Sequence, residues 1–121
     1  MANTFKVINF AAEPNSAGTP FTMYTVASST TTVVLGLVLA NINTTAVTAE
    51  VELVSDTSAR GGANDVANGT SFLVKDVTIP AGTSLELLSG GKVVLEASDE
   101  IKIDCSVADK LSGTLSIMEI T

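Results

Sequence analysis

The run "TTVVLGLVLANI", Thr31 to Ile42, restricts the possible folds more than any other stretch of this chain. It is apolar on both phases of a two-residue alternation, with Val33, Leu35, Leu37 and Leu39 on one and Val34, Gly36, Val38 and Ile42 on the other. Thr and Val are stiff at their first side-chain torsion and prefer a pleated backbone, so the run reads as a strand. A strand with two apolar faces needs cover on both of them, which places it inside a layered β-structure.

The surrounding sequence repeats the strand signal at short intervals. "FTMYTV" precedes the run, and "AVTAEVELVS" follows it, with Val47, Ala49, Val51 and Leu53 alternating against Thr48, Glu50 and Glu52. "SFLVKDVTI" leads into the turn "PAGT", "SLELL" and "KVVLE" flank "SGG" as a hairpin, and "IKIDCSV" and "TLSIMEIT" complete the series. The segment from Asp56 to Thr70, rich in Gly, Asn, Asp and Ser, is longer than an ordinary connection, which marks it as a functional or mobile loop. About eight short strands without a helix pattern predict an all-β fold, an antiparallel β-sandwich of jelly-roll type. With 121 residues, one core and one domain are expected.

Residues 1–20 stand apart. "FKVINFAA" is a short strand-like piece, and "EPNSAGTP" contains two prolines, a glycine and an asparagine, the composition of a connector. The division predicted is an extended N-terminal arm, 1–20, followed by a sandwich domain, 21–121. Phe5, Val7, Ile8 and Phe10 form an apolar cluster on that arm, which is expected to dock on a neighbour and to serve assembly more than folding. On this reading, removing residues 2–18 leaves the melting temperature nearly unchanged.

The residue inventory is poor in reactive groups. Histidine is absent, so neither a Ser–His nor a Cys–His pair can be assembled. The single cysteine, Cys105, lies on the apolar phase of "IKIDCSV" and reads as a small buried hydrophobe; a zinc site needs several such ligands. Glu96, Asp99, Glu100 and Asp104 lie close together, and Asp56 and Asp65 bracket a glycine-rich loop, yet neither group has calcium-loop spacing. They read as turn and strand-edge acids. No catalytic residue, cofactor or metal is therefore expected, and the chain reads as a non-enzyme.

Thirteen acidic residues against six basic ones give a net charge of −7, which repels phosphate backbones and anionic lipid headgroups. Nucleic acid and membrane are excluded as expected partners. The start "MANTFKVINF" lacks the basic-then-apolar pattern of a signal peptide, and no apolar run reaches the roughly 20 residues of a membrane-spanning helix.

The order "TTVVLGLVLANI", then "SFLVKDVTIPAGTSLELLSGGKVVLEASDEIKI", then "LSIMEIT" resembles small virion structural proteins of tailed bacteriophages. The resemblance spans about Tyr24 to Thr121 and consists of turns and apolar positions. It implies assembly in place of catalysis, in a virion assembled in the host cytoplasm, without fixing the position in the particle; the role expected first is a capsid decoration or cement protein that binds the outer shell. A tail, neck, baseplate or fibre-attachment role is the alternative it leaves open. A carbohydrate-binding module using the Asp56 to Thr70 loop is a further alternative, although that loop has no aromatic platform. The partners expected are the chain itself, as a homo-oligomer with a trimer as first choice, and the major capsid protein or other virion proteins. The residues expected at those interfaces are Phe5, Val7, Ile8, Phe10, Val34, Gly36, Val38 and Ile42.

Overall fold

The alternating runs of the sequence form two antiparallel sheets packed face to face. The computed structural model describes residues 2–55, 69–88 and 91–121. Among these residues there are nine strands: β1 (Asn3–Glu13), β2 (Phe21–Thr25), β3 (Thr31–Asn41), β4 (Val47–Ser55), β5 (Gly69–Ile79), β6 (Ser84–Leu87), β7 (Val93–Leu95), β8 (Glu100–Cys105) and β9 (Leu111–Ile120). None of the described residues is helical.

Sheet A has the order β1-β9-β3-β6, with β7 also beside β3, and sheet B the order β2-β8-β4-β5. The chain crosses between sheets at nearly every step, and only β4–β5 is a hairpin within one sheet. This interleaving is the jelly roll that the strand count suggested. Leu37, Leu39, Leu95, Leu115 and Ile117 from sheet A meet Val51, Ile79, Ile101 and Ile103 from sheet B, all almost completely buried. Fully burying one such aliphatic side chain stabilises by about 1.5–3 kcal/mol, so this layer carries the fold.

Three expectations from the sequence are corrected. First, the arm is not detached: residues 3–13 are β1, hydrogen-bonded to β9 from Asn3↔Ile120 to Glu13↔Leu111. Ile8 and Phe10 turn inward and pack against the core, and Phe10 meets Phe21 edge-on with ring centroids 5.3 Å apart. The connector is tied down as well. Gly18 N donates to Asp104 Oδ1 at 3.1 Å, and Asp109 N donates to the Pro14 carbonyl at 2.8 Å. β1 is the edge strand of its sheet, and the prolines and polar residues that follow it are local signals of a connector, so in sequence it resembles an arm.

Second, "SLELL" and "KVVLE" are not partners in a hairpin. β6 pairs with Leu37–Ala40 and β7 with Thr32–Val34, so the two lie end to end along one edge of β3. An eleven-residue strand leaves a long row of N–H and C=O groups to satisfy, and two short strands cover more of that row than one arm of a hairpin would.

Third, the two phases assigned to β3 exchange part-way along. Its pairing with β9 shifts register between Val34 and Gly36, a bulge that inserts Leu35 as an extra residue. Thr32 and Val34 point into the core before the bulge, and Leu37, Leu39 and Asn41 after it. Val34 is therefore a core residue, 1% exposed, on the opposite face from Val38.

Two further details fix the ends of the sandwich. Gly113 stands opposite Phe10 in the ladder, and the Phe10 ring occupies the space a Cβ on Gly113 would need. Asn41 is buried at the β3–β4 corner, where its Nδ2 donates to the carbonyls of Thr45 (3.0 Å) and Ile79 (2.8 Å) and its Oδ1 accepts from Asn43 N (2.8 Å). Every hydrogen-bonding atom of that amide except one acceptor site is thus engaged in holding the corner.

Candidate functional site

The outer faces of the two sheets are chemically unlike. On sheet B, Glu50 and Glu52 of β4 stand beside Asp104 and Lys102 of β8, and Lys75 of β5 pairs with Glu50 at 3.2 Å. That face is acidic and hydrated.

On sheet A, register builds an apolar band from residues distant in sequence. Phe5 of β1 stands opposite Met118 of β9, Met118 opposite Val33 of β3, and Val33 opposite Val94 of β7. The next row runs from Val7 through Ser116 to Gly36, and the one after it from Asn9 through Thr114 and Val38 to Glu86. Phe5 is 71% exposed, Val7 64% and Val94 60%. Such values for large apolar side chains gathered on one face make it the candidate for an interaction surface. Among the described residues, Glu86 on edge strand β6 is the only charged one at a strand position of this face.

A hollow indents the face at the β3 bulge. Its lining includes Leu35, Gly36, Val38, Leu88, Ser116 and the carboxylate-bearing Glu86, and apart from its chain neighbours no atom comes within 4 Å of where a Cβ on Gly36 would stand.

Of the eight residues expected at interfaces, the structure gathers Phe5, Val7, Gly36 and Val38 on this face. Ile42, 48% exposed, lies just past the end of β3. Ile8, Phe10 and Val34 belong to the inward side and drop out of the surface. Val33, Val94 and Met118 were missed. Their local sequences carry no mark that distinguishes the outward face from the inward one; only the ladder register and the bulge do.

A hydrogen-bonded chain secures β1 at one end of this sheet. Lys6 Nζ lies 2.7 Å from Glu119 Oε1, and Tyr24 Oη donates to Glu119 Oε2 at 2.6 Å. The phenol has one proton and gives it to the carboxylate, so Thr32 Oγ1, 2.8 Å away, donates to the phenol oxygen. Burial, reinforced by the Glu119 carboxylate, pushes the Tyr24 phenol up to about 12. The hydrogen bonds from Lys6 and Tyr24 hold the Glu119 carboxyl below the usual carboxylate range. This network joins β1, β2, β3 and β9 and is structural, since neither the phenol nor Thr32 reaches open solvent.

The acids weighed as calcium ligands hold turns and strand ends. Asp99 Oδ2 accepts from Glu96 N at 3.0 Å, Asp104 Oδ1 accepts from Gly18 N and Cys105 N, and Thr25 Oγ1 donates to Glu100. Among the described residues no group of three or more His, Cys, Asp or Glu is placed to hold a metal ion. Cys105 is buried at the Ala49 position of the β4–β8 ladder, and burial pushes its thiol up, away from the reactive thiolate. Asp56 and Asp65, and the loop proposed for sugar binding except its last two residues, lie outside the described residues.

No protein-family model matches the sequence, and comparison with curated proteins finds no match.

Proposed function

We propose that this chain is a non-enzymatic virion structural protein of a tailed bacteriophage, a homo-oligomer that decorates the capsid and stabilises the outer shell. The observation that carries the reading is the apolar outer face of sheet A, set against an acidic outer face on sheet B. A protein built this way offers contact area, and its residues offer little else: no histidine, and one cysteine, buried. Apolar area of this kind contributes about 25 cal/mol per Å² removed from water, part of which is spent on the entropy of association. The resemblance of its turn and strand order to phage virion proteins supplies the setting, and its partners are then the major capsid protein or other virion proteins.

The test is direct. Purified protein is added, without cofactor, to preformed particles that lack it, and bound copies are counted and located by electron microscopy. Attachment over the shell in hundreds of copies, with greater resistance to heat or osmotic shock and no effect of chelator, is the expected outcome. Attachment only at the tail or its vertex replaces decoration with the tail-adaptor role. No attachment anywhere overturns the virion reading.

A further inference from the structure

We infer that the free edge of β1 pairs with the β1 of a second copy, antiparallel about a two-fold axis through Val7, so that one continuous sheet joins the two copies. This rests on the assembly reading above and names the partner of a surface which that reading leaves unused.

Backbone hydrogen bonds show which groups are free. Ala2 and Thr121 exchange both of theirs, Ala2 N to the Thr121 carbonyl at 3.2 Å and Thr121 N to the Ala2 carbonyl at 3.0 Å. Bonded pairs alternate with non-bonded ones in an antiparallel ladder, so Thr4, Lys6 and Ile8 turn their N–H and C=O groups to β9. Asn3, Phe5, Val7 and Asn9 turn theirs away from it. Among the described residues no strand lies beyond β1, and Asn3 to Val7 are exposed on both phases. A row of outward donors and acceptors at every second residue is the complement of an extended backbone.

The other described edges are guarded against a joining strand. β6 and β7 are only four and three residues long. β2 has five residues and a register shift, and β5 shifts register twice against β4 and carries Lys75 and Asp76, the latter at φ 52°. Shortness, bulges and charge are the devices that keep edges apart. β1 instead keeps one register from Asn3 to Phe10 without Pro or Gly, and its one charge in that stretch, Lys6, is taken by Glu119 at 2.7 Å. Between identical copies, the complement of an unguarded β1 is therefore another β1.

Lys6 selects the register. A two-fold through Lys6 would set two like charges directly opposite, which destabilises a strand pair. An axis through Phe5 shortens the overlap, because the strand begins at Asn3. The axis through Val7 sets Lys6 opposite Ile8, Phe5 opposite Asn9 and Thr4 opposite Phe10, with Phe5, Val7 and Asn9 making the bonded pairs. Since this axis is normal to the sheet, both apolar outer faces point the same way and remain free for the shell, and both acidic faces turn from it. The contact is smaller than a standard interface, which places pairing in solution at roughly 100 µM. On the shell two linked faces bind together, and each holds the other in place.

The test uses the full chain. Sedimentation from about 10 to 1,000 µM should show the mass rising from one chain to two. Val7→Pro removes an N–H that faces away from β9, so it should keep the β1–β9 ladder and the circular-dichroism spectrum yet remain a single chain at about 1,000 µM. Val94→Asp, on the outer face of sheet A, should pair as the parent does, which separates edge pairing from contact between faces. In the parent chain the amide protons of Phe5, Val7 and Asn9 should exchange several-fold more slowly at about 1,000 µM than at about 10 µM, and this measurement decides the matter should Val7→Pro misfold. A single chain at 1,000 µM, a mass of three chains, pairing that survives Val7→Pro, pairing lost in Val94→Asp, or amide exchange independent of concentration overturns the inference. None of these readouts involves particles. Attachment of the parent chain to particles is scored separately, so failure of pairing and failure of the virion role are told apart.

Discussion

Tyr24 is the chain's single tyrosine and tryptophan is absent, so its phenolate absorbance reports one group. The fold raises this phenol from 10.0 to about 12, which means the folded state holds the proton more tightly than the unfolded one. Its contribution to stability is complete below pH 10 and is lost as the pH rises from 10 to about 12. Glu119 works in the opposite sense: its pKa is lowered, so its contribution is present above the ordinary value of 4.5 and is lost as the pH falls through the depressed one. Spectrophotometric titration should find the native phenol half-ionised near pH 12 and the denatured one near pH 10; a native value near 10 would contradict the network. Tyr24→Phe should abolish the alkaline part of the stability profile and cost about 1–3 kcal/mol, because the Thr32 hydroxyl and a Glu119 oxygen lose their partner. Gly113 makes a second test at this scale. Gly113→Ala puts a methyl group where the Phe10 ring lies, and denaturant unfolding should show a loss of about 1–3 kcal/mol. Phe10→Leu in the same chain should recover part of it, since contacting sites do not add. Unchanged stability in Gly113→Ala would mean that the ring moves freely.

Among the elements, β1 differs most from its reading in the sequence. Prolines and polar residues at 13–20 suggested that the segment before them was decoupled, but decoupling is a property of the tertiary contacts, and Phe10–Phe21 and Asp104–Gly18 supply them. Deleting residues 2–13 should expose the β9 edge and remove the half-buried Ile8 and Phe10 from the core's margin, a loss of about 1–2 kcal/mol for each, less than full burial gives. At about 3–6 °C per kcal/mol for 121 residues the melting temperature should fall by more than about 5 °C, and a truncated chain melting within about 2 °C of the intact one would restore the arm. Elsewhere the strands were legible because alternation and turn residues are local signals: "AVTAEVELVS" buries Val47, Ala49 and Val51 as its pattern indicates. Partners were less legible. The pattern in "SLELL" and "KVVLE" marks two strands and says nothing of which edge they join. The β3 bulge did have a signal, since a glycine inside a strand run often marks one, and Gly36 stands immediately after the extra residue.

For the molecule as a whole, the jelly-roll class followed from strand number and spacing, but the candidate site did not. Phe5, Val33, Val94 and Met118 come from four strands scattered through the chain, and only the registers of three separate ladders bring them into one row. The β1–β9 ladder also sets the order of events in the cell. Residues 3–13 leave the ribosome before the other described strands, yet their partners at 111–120 emerge about a hundred residues later, a wait of about 5–20 s at ordinary elongation rates. Throughout that interval the oldest strand of a nascent chain stays unclaimed, and on a crowded polysome the nearest finished β9 belongs to a neighbouring copy. Exchange of β1 between two such chains would preserve every contact of the ladder, so translation speed and local concentration become determinants of whether this fold closes on itself or on its neighbour.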